Sequence, residues 1–280
     1  MTARVRDVVA VLEAAYPPEL TEGWDAVGLI CGDPTEPVQQ VLVAVDPVAE
    51  IVDEALERNA QLLVTHHPLL LRGVHGVPAD DPKGGLVHRL VRAGAALFCA
   101  HTNADAADPG VSDALAHALG LRVTGPLSAR SGDGPFARAG LGRICELSQP
   151  ESLRAFTQRV RDALPETAWG VRAGGNPQRS VRTVAVCGGA GDSLLGVATA
   201  AGVDAFLTAD LRHHPALEHL AAGGPALVDV AHWASEHPWC EQAAAVISAA
   251  LGGTVNVHVS HRRTDPWTIG SVQPPGRLTR

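Results

Sequence analysis

The sequence predicts an α/β protein with mostly parallel sheets flanked by helices. Short apolar runs rich in β-branched residues alternate with amphipathic segments of helix length, which is the pattern of successive βα units. Apolar residues make up 46% of the 280 residues and charged residues 19%, which is typical of a folded globular protein. Aromatic residues make up only 4%, so we expect a core built mainly from Ala, Val and Leu.

Residues 1–125 are predicted to form an N-terminal α/β lobe. The spacing of the apolar residues over 5–12 predicts an amphipathic helix, and Asp7 and Glu13 argue against a signal peptide. Gly120 is suited to end the last helix of this lobe. Strands are predicted at 41–45, 61–65 and 95–100, and helices at 48–59, 85–94 and 111–120.

Residues 126–280 are predicted to form a C-terminal α/β lobe. The Gly-, Ser- and Pro-rich segment 125–135 predicts a linker or an exposed loop between the lobes. Ser148 and Glu151 have the spacing of a capping box, which predicts that a helix begins there. The tail from Arg262 lacks periodicity, so we expect it on the surface or against a neighbouring subunit. Strands are predicted at 141–147, 181–187, 203–208, 226–230 and 254–260, and helices from 193, over 215–222 and over 236–251.

Charge and cysteine content exclude several classes of protein. The net charge of -8 supplies no counterion release for binding a polyanion, so we expect no nucleic-acid partner. No apolar run reaches the roughly 18 residues of a membrane span, so we expect no membrane partner either. The five cysteines are odd in number, scattered and never in a C-x-x-C arrangement. These features are typical of reduced thiols and predict a cytoplasmic protein.

Histidines and acids follow two predicted strands of the N-terminal lobe. His66 and His67 come directly after the strand 61–65, and the motif H-T-N-A-D, which ends at Asp105, follows the next strand. Ligands collect at the carboxyl ends of strands in open α/β sheets, so both motifs are candidate metal-binding sites. Adjacent residues on an extended backbone point in opposite directions, so the two histidines suit two neighbouring ions better than one. The alternatives are a solvated turn before Pro68 for the first motif and an Asx turn or helix cap for the second.

A third motif follows the strand 226–230 in the C-terminal lobe. Because Pro238 is favoured in the first turn of a helix, we predict that the helix begins near Ser235. His232 then lies at the strand end and Glu236 at the helix entry, both facing the same crevice. Alternatively, Glu236 only offsets the positive end of the helix dipole.

The three motifs together predict a metal centre. Mixed imidazole and carboxylate ligands suit divalent transition metals such as Zn, Mn, Fe, Co or Ni. Five side chains are too many for one catalytic zinc with an open position, but they suit two ions that share a bridging carboxylate. The candidate ligands are His66, His67, Asp105, His232 and Glu236.

Two further loops follow strands. His213 and His214 are candidate catalytic proton shuttles or anion-binding residues, although His214 and Glu218 are also spaced to form a simple surface pair. The glycine-rich loop 187–193 joins a strand to a helix, where a phosphate can bind. It lacks the G-x-G-x-x-G order and a Walker lysine, so a dinucleotide or P-loop site is disfavoured.

The chain resembles the Nif-three-like family, whose members often carry the label GTP cyclohydrolase I type 2 homolog. The resemblance covers nearly the whole chain. It rests on the motifs GWDAVGLICGD (23–33), THHPL (65–69), HTNAD (101–105), GVSDALAHALG (110–120), CGGAGDS (187–193), DAFLTADLRHH (204–214) and AHWASE (231–236).

The resemblance implies a two-lobed fold with a dinuclear metal site between the lobes. The implied ligands are the same five residues that the strand-end motifs indicate. It also implies a compact form of the family, without the inserted middle domain of many relatives, and a toroidal homohexamer. The implied function is a metal-dependent hydrolase acting on a small, nucleotide-like substrate, with GTP cyclohydrolase activity suggested by the family label. The alternative is a non-catalytic metal-binding assembly or regulatory protein.

Overall fold

The computed structural model describes residues 2–130 and 136–270. The strands in these residues are β1 (Gly28–Cys31), β2 (Gln40–Ala44), β3 (Leu62–Thr65), β4 (Ala96–Cys99), β5 (Arg122–Ala129), β6 (Gly140–Ser152), β7 (Val171–Gly174), β8 (Ser180–Ala190), β9 (Ala205–Ala209), β10 (Ala226–Val230) and β11 (Asn256–Val259). The helices are α1 (Val5–Ala15), α2 (Ala49–Glu57), α3 (Pro82–Arg92), α4 (Thr102–Ala106), α5 (Val111–Ala118), α6 (Leu153–Ala163), α7 (Leu195–Ala200), α8 (His213–Ala221) and α9 (His232–Leu251). Two 3-10 turns lie at Pro18–Leu20 and Asp192–Leu194.

The first sheet has the strand order β1-β4-β3-β2-β11. Four of its five strands, β4, β3, β2 and β11, are parallel to one another, and β1 runs antiparallel to β4 at the edge. The residues of β3 and β4 are all buried, as expected for parallel strands that are covered on both faces. The predicted C-terminal lobe supplies β11 to this sheet.

The second sheet has the order β5-β6-β8-β9-β10-β7 and is mixed. Only the pairs β8–β9 and β9–β10 are parallel, whereas β5–β6, β6–β8 and β10–β7 are antiparallel. The expectation of mostly parallel sheets therefore describes the first sheet and is wrong for the second. The difference arises because β5 and β6 pair directly with each other instead of through a crossover helix.

Part of the predicted linker 125–135 is a strand. Residues 125–129 form the second half of β5, where Gly125 pairs with Ile144 and Ala129 with Gly140. Pro126 is compatible with this strand because β5 lies at the edge of the sheet, where a missing backbone donor costs little. Residues 131–135 lie outside the described residues, and the division of the chain at residue 125 stays a prediction.

The helix predicted at Ser148 begins later. Ser148 and Glu151 lie within β6, where Glu151 pairs with Val181 of β8. Ser152 caps α6 instead, because its hydroxyl accepts a hydrogen bond from the backbone N–H of Ala155 at 3.2 Å. The capping-box prediction is wrong because β6 continues through both residues and pairs with β8 at Glu151.

Helix α9 packs against strands of both sheets. It contacts β2 and β11 of the first sheet and β8 and β9 of the second, as well as α1 and α5. It begins at His232, earlier than predicted, and Pro238 lies inside it. The helix continues through the proline while Trp239 and Cys240, which follow it, are completely buried. No helix among the described residues is long and apolar enough to cross a membrane.

All five cysteines are free thiols, and four of them are buried. The tail from Arg262 was expected on the surface or against a neighbouring subunit. Its residues Thr264, Asp265 and Trp267 line a cavity beside the candidate site. The remaining tail, residues 271–280, lies outside the described residues.

Candidate metal centre

The structure brings the five predicted ligands together at one place. His66 and His67 follow β3, Asp105 lies in α4, and His232 and Glu236 lie in the first two turns of α9. Helix α9 begins directly after β10 and thus places His232 and Glu236 near the ends of β3 and β4. The site is formed where these elements of the two sheets meet.

Glu236 is the central group of the cluster. Its side chain is only 4% exposed. Its Oε1 lies 2.9 Å from Nε2 of His232 and 3.5 Å from Nε2 of His66, and its Oε2 lies 3.1 Å from Nε2 of His67. Each carboxylate oxygen therefore faces at least one imidazole nitrogen. Asp105 lies further out, with Oδ1 3.6 Å from Nε2 of His66.

His66 and His67 approach the same carboxylate despite being adjacent in sequence. Their ring centroids lie 5.1 Å apart, because the chain has left β3 at Thr65 and no longer alternates as a strand. His66 faces Oε1 of Glu236 and His67 faces Oε2. This arrangement suits the predicted pair of ions, since each histidine faces a different oxygen of the Glu236 carboxylate.

The Nδ1 atom of each histidine in the cluster is held by an oxygen acceptor. His66 Nδ1 bonds to the Ala100 carbonyl at 2.8 Å, and the other three histidines bond to carboxylates at the ends of strands or nearby loops. The carboxylate pairs are His67 with Asp46 (2.7 Å), His101 with Asp25 (2.8 Å) and His232 with Asp210 (2.6 Å). Such acceptors fix the ring orientation and the tautomer of metal-binding histidines, leaving Nε2 free to bind.

His101 joins the cluster, which sequence reasoning did not predict. The sequence indicated only Asp105 of the H-T-N-A-D motif (101–105) as a candidate ligand. In the structure, ligand atoms of His66, His67 and His101 lie within 4.8 Å of one another, as do those of His67, His232 and Glu236. His67 belongs to both groups. The signal was present in the sequence, because His101 follows β4 just as His66 follows β3.

The charges of the cluster compensate one another. Burial alone would raise the pKa of Glu236, but the imidazoles of His67, His232 and His66 hold it well below its usual range. Burial opposes the charge on His232, yet the Glu236 carboxylate raises the pKa of that imidazole to about 10. Burial also raises the pKa of Asp105 to about 6. Protons on the imidazoles thus balance Glu236, and a divalent cation bound by the same side chains would take over this role by displacing them.

A glycine of β8 leaves room for Glu236. A Cβ atom on Gly189 would lie 2.4 Å from Oε1 of Glu236 and 3.2 Å from Nε2 of His232. Gly189 also has a φ of +66°, which favours glycine. Its backbone N–H donates to Ser235 Oγ at 2.9 Å, which fixes the strand against α9. The glycine-rich loop predicted as a phosphate candidate therefore contributes to the shape of the cluster.

The donor set fits divalent transition-metal ions. His66 Nε2 and Glu236 Oε2 are buried, and neither makes a hydrogen bond of normal geometry among the described residues, although each faces a group of opposite charge in the cluster. Two ligands each about 2.1 Å from one ion lie about 3.0–3.4 Å apart, close to the separations of the Glu236 oxygens from the imidazoles. Buried polar atoms without partners are costly, and a shared cation would satisfy both.

A cavity of about 380 Å³ opens beside the cluster. His67 and His232 line one side of it, together with the carboxylates of Asp46 and Asp210. The remaining described walls are formed mainly by Trp169, Val230, Ala231, Trp233 and the segment Thr264–Trp267. A small molecule in this cavity would therefore reach the edge of the cluster.

His213 and His214 lie outside the cluster. Both are exposed at the start of α8, with ring centroids 5.1 Å apart, and neither lines the cavity. The residue of this motif that reaches the site is Asp210, which has a φ of +56° and holds His232. The catalytic role of the two histidines stays a prediction.

The family model described as Duf34/NIF3 (NGG1p interacting factor 3) matches residues 3–266. The chain belongs to this family. A relative from Streptomyces coelicolor, named GTP cyclohydrolase 1 type 2 homolog, is 54% identical over 275 residues, covering 97% of this chain and 96% of the relative. A relative of the same name from Mycobacterium tuberculosis is 42% identical, covering 96% of this chain and 98% of the relative. That alignment spans 372 positions, more than the 280 residues of this chain, so that relative carries additional residues.

Solved structures confirm the Duf34/NIF3 fold. The Staphylococcus aureus hypothetical protein SA1388 has a TM-score of 0.86 and 26% identity, covering 96% of this chain and 99% of that one. A Bacillus cereus protein related to NIF3 has a TM-score of 0.85 at 23% identity, covering 96% and 99%. The mixed α/β architecture with two sheets is therefore that of the family.

Proposed function

We propose that this Duf34/NIF3 protein is a metal-dependent hydrolase that holds two divalent transition-metal ions and acts on a nucleotide-like substrate. The proposed ligands are His66, His67, Asp105, His232 and Glu236, with Glu236 as the bridging carboxylate. His101 is a further candidate ligand because of its place beside His66 and His67.

One observation carries this proposal. Nε2 atoms of three histidines converge on Glu236, while the buried atoms His66 Nε2 and Glu236 Oε2 make no hydrogen bond of normal geometry among the described residues, although Oε2 lies 3.1 Å from Nε2 of His67. A purely structural cluster would satisfy its buried polar atoms internally. The convergence therefore supports a binding site for cations rather than a hydrogen-bonded core.

The cavity favours an enzyme over a saturated structural metal site. Bound divalent ions supply Lewis acidity and lower the pKa of water, which is the basis of metal-assisted hydrolysis. Asp46 and Asp210 hold the rings of His67 and His232 at the wall of the cavity, so a substrate there would meet the open side of the site. The name of the relatives, GTP cyclohydrolase 1 type 2 homolog, supports a nucleotide-like substrate, and the free cysteines support a cytoplasmic location.

Metal analysis and an activity assay test the proposal together. We expect close to two transition-metal ions per chain by elemental analysis, and loss of metal in His66→Ala and Glu236→Gln. His88→Ala is the matched control, because His88 lies in α3 and bonds to the Val77 carbonyl, outside the cluster. The assay follows GTP by loss of its purine absorbance, with a panel of other nucleotides and phosphoesters, with and without chelator.

Two outcomes would contradict parts of the proposal. Zero or one ion per chain after growth in metal-replete medium, with both cluster variants binding as much as the wild-type protein, would exclude the two-ion site. Full metal loading without turnover on any member of the panel would favour the alternative, a non-catalytic metal-binding assembly.

A further inference from the structure

Strand β7 leaves one edge of the second sheet open. It is the last strand in the order β5-β6-β8-β9-β10-β7, and among the described strands it pairs only with β10. No described segment outside this sheet makes a backbone hydrogen bond to Val171–Gly174, the four residues of β7. A strand at the edge of a sheet presents unpaired N–H and C=O groups, which are a template for another extended chain.

A groove of about 270 Å³ lies between β7 and α6. Val171 and Ala173 line it from the strand, and because alternate residues of a strand face the same way, both point toward α6. Four residues of α6 line it from the helix, namely Arg154, Thr157, Gln158 and Arg161. Their i, i+3, i+4, i+7 spacing places them on one face of the helix. An extended chain paired with β7 would therefore lie against this face of α6.

The groove carries positive charge that no acidic residue of the described part of the chain neutralises. Arg154 and Arg161 are exposed, and neither forms an ion pair among the described residues. Neighbouring arginines differ, because Arg159 pairs with Glu151 and Arg172 with Asp229. No Asp or Glu is among the described residues that line the groove. The chemical complement of this surface is therefore a carboxylate.

The surrounding sequence is basic, although the whole chain has a net charge of -8. The acidic residues of the range 154–182 are Asp162 and Glu166. Asp162 does not line the groove, and its Oδ1 accepts a hydrogen bond from Gln158 at 2.8 Å. The same range contains the basic residues Arg154, Arg159, Arg161, Arg172, Arg179 and Arg182. A basic surface on an acidic protein favours acidic partners at this place, because complementary charge selects the partner and its orientation.

We propose that the groove between α6 and β7 binds an extended acidic segment of a partner protein, which adds to β7 as a further strand. Backbone hydrogen bonds to the open edge hold the segment, and every second side chain faces the groove. Carboxylates at these alternate positions form charge-assisted hydrogen bonds with Arg154 and Arg161.

The spacing of the two arginines fits such a segment. Seven residues of helix separate Arg154 from Arg161 by about 10.5 Å along the axis. Residues i, i+2 and i, i+4 of a strand lie about 7 Å and about 13 Å apart, so two alternate carboxylates come within reach of the two flexible side chains. None of the described residues of the groove lines the cavity beside the metal cluster, so this inference is independent of the proposed function.

Fluorescence anisotropy with labelled synthetic peptides tests the proposal on the full-length protein. We expect a peptide of alternating Thr and Glu to bind saturably and its Thr-Gln counterpart to bind more weakly. In a paired strand, alternate residues direct their N–H groups to the neighbouring strand. Methylation of one alternate set of backbone nitrogens should therefore abolish binding of the Thr-Glu peptide, and methylation of the other set should preserve it.

Substitutions in α6 test the contribution of the arginines. Arg154→Gln and Arg161→Gln should each weaken binding of the Thr-Glu peptide by about 1.5- to 5-fold, the usual worth of an exposed ion pair. Arg182→Gln is the matched control, because Arg182 is an exposed arginine of β8 outside the groove. Thermal unfolding checks that the variants fold. The double variant Arg154→Glu and Arg161→Glu should lose the Thr-Glu peptide and bind a Thr-Lys peptide, a reversal that a structural role of the arginines would not produce.

Three outcomes would overturn the proposal. Equal binding of the two methylated peptides would show attraction between charges without strand pairing. Equal affinities in Arg154→Gln, Arg161→Gln and Arg182→Gln would place the peptide elsewhere on the protein. No saturable binding at up to about 1 mM peptide would show that the arginines only protect the edge, since charged side chains at an edge also prevent pairing with other chains.

Discussion

His232 and Glu236 lie one helical turn apart at the start of α9, and Nε2 of His232 lies 2.9 Å from Oε1 of Glu236. Because α9 begins at His232 itself, the i, i+4 spacing places both side chains on one face of the helix. Asp210 holds the other nitrogen of His232 at 2.6 Å. This chain of contacts fixes the imidazole on which the candidate site depends.

The carboxylates that hold the histidines should control metal affinity. Asp46→Asn and Asp210→Asn should each lower the affinity by about 10- to 100-fold, because an amide still accepts a hydrogen bond but does not make the imidazole a stronger ligand. Competition with a coloured chelator measures the affinity. Asp192→Asn is the control, since Asp192 pairs with Arg212 away from the cluster. Equal affinities in all the variants would contradict the role of these contacts.

Gly189→Ala should damage the metal site more than it damages the fold. A side chain at φ +66° costs about 1–2 kcal/mol of stability, and the new methyl group would collide with Glu236. Gly202→Ala is a matched control, because Gly202 has a φ of +67° and a methyl group added there would have nothing within 4 Å. We expect both variants to lose stability in metal-free protein by thermal unfolding, Gly189→Ala more than Gly202→Ala because of the collision, but a loss of metal affinity only in Gly189→Ala. Equal metal affinity in the two variants would exclude the steric role of this glycine.

Metal affinity should fall as the pH falls. The Glu236 carboxylate raises the pKa values of His67 and His232, so in metal-free protein these imidazoles carry protons that a metal ion must displace. Binding therefore releases protons, and lower pH favours the protonated, metal-free form. Calorimetry in buffers of different ionisation enthalpy, between about pH 6 and pH 8, measures the protons released. Binding without proton release would show that these imidazoles are not ligands.

The role of His214 is testable without changing the metal site. If His214 shuttles protons, His214→Ala should keep its metal content and lose about 100- to 10,000-fold in rate. His214 is exposed and lies outside the cavity, so its replacement should leave metal binding intact. A rate equal to that of the wild-type protein would remove His214 from the mechanism and leave His213 as the next candidate.

The assembly state follows from the resemblance to the family. We propose a homohexamer and expect a mass near six times 29.1 kDa by light scattering. A clean monomer at micromolar concentration would contradict this proposal.

The sequence by itself determined the βα pattern and all five predicted members of the cluster. It could do so because carboxyl ends of parallel strands meet at one edge, so His66 and His67 after β3 and Asp105 after β4 had to lie close together. The local sequence pattern predicted secondary structure less reliably where pairing with another strand decides it. Residues 125–129 look like a linker by composition and form a strand only because β6 pairs with them.

Only the tertiary structure decided which distant residues complete the site. Asp46 and Asp210 hold their histidines across 21 and 22 positions of sequence, and no local motif specifies such a pairing. The same holds for the segment from Thr264 to Trp267, which has no periodicity yet lines the cavity and contacts Asp46 through Thr264. Strand-end positions follow from backbone geometry and can be predicted from spacing. Contacts between side chains of different elements depend on how the two sheets pack around α9, and that packing is set by the whole core.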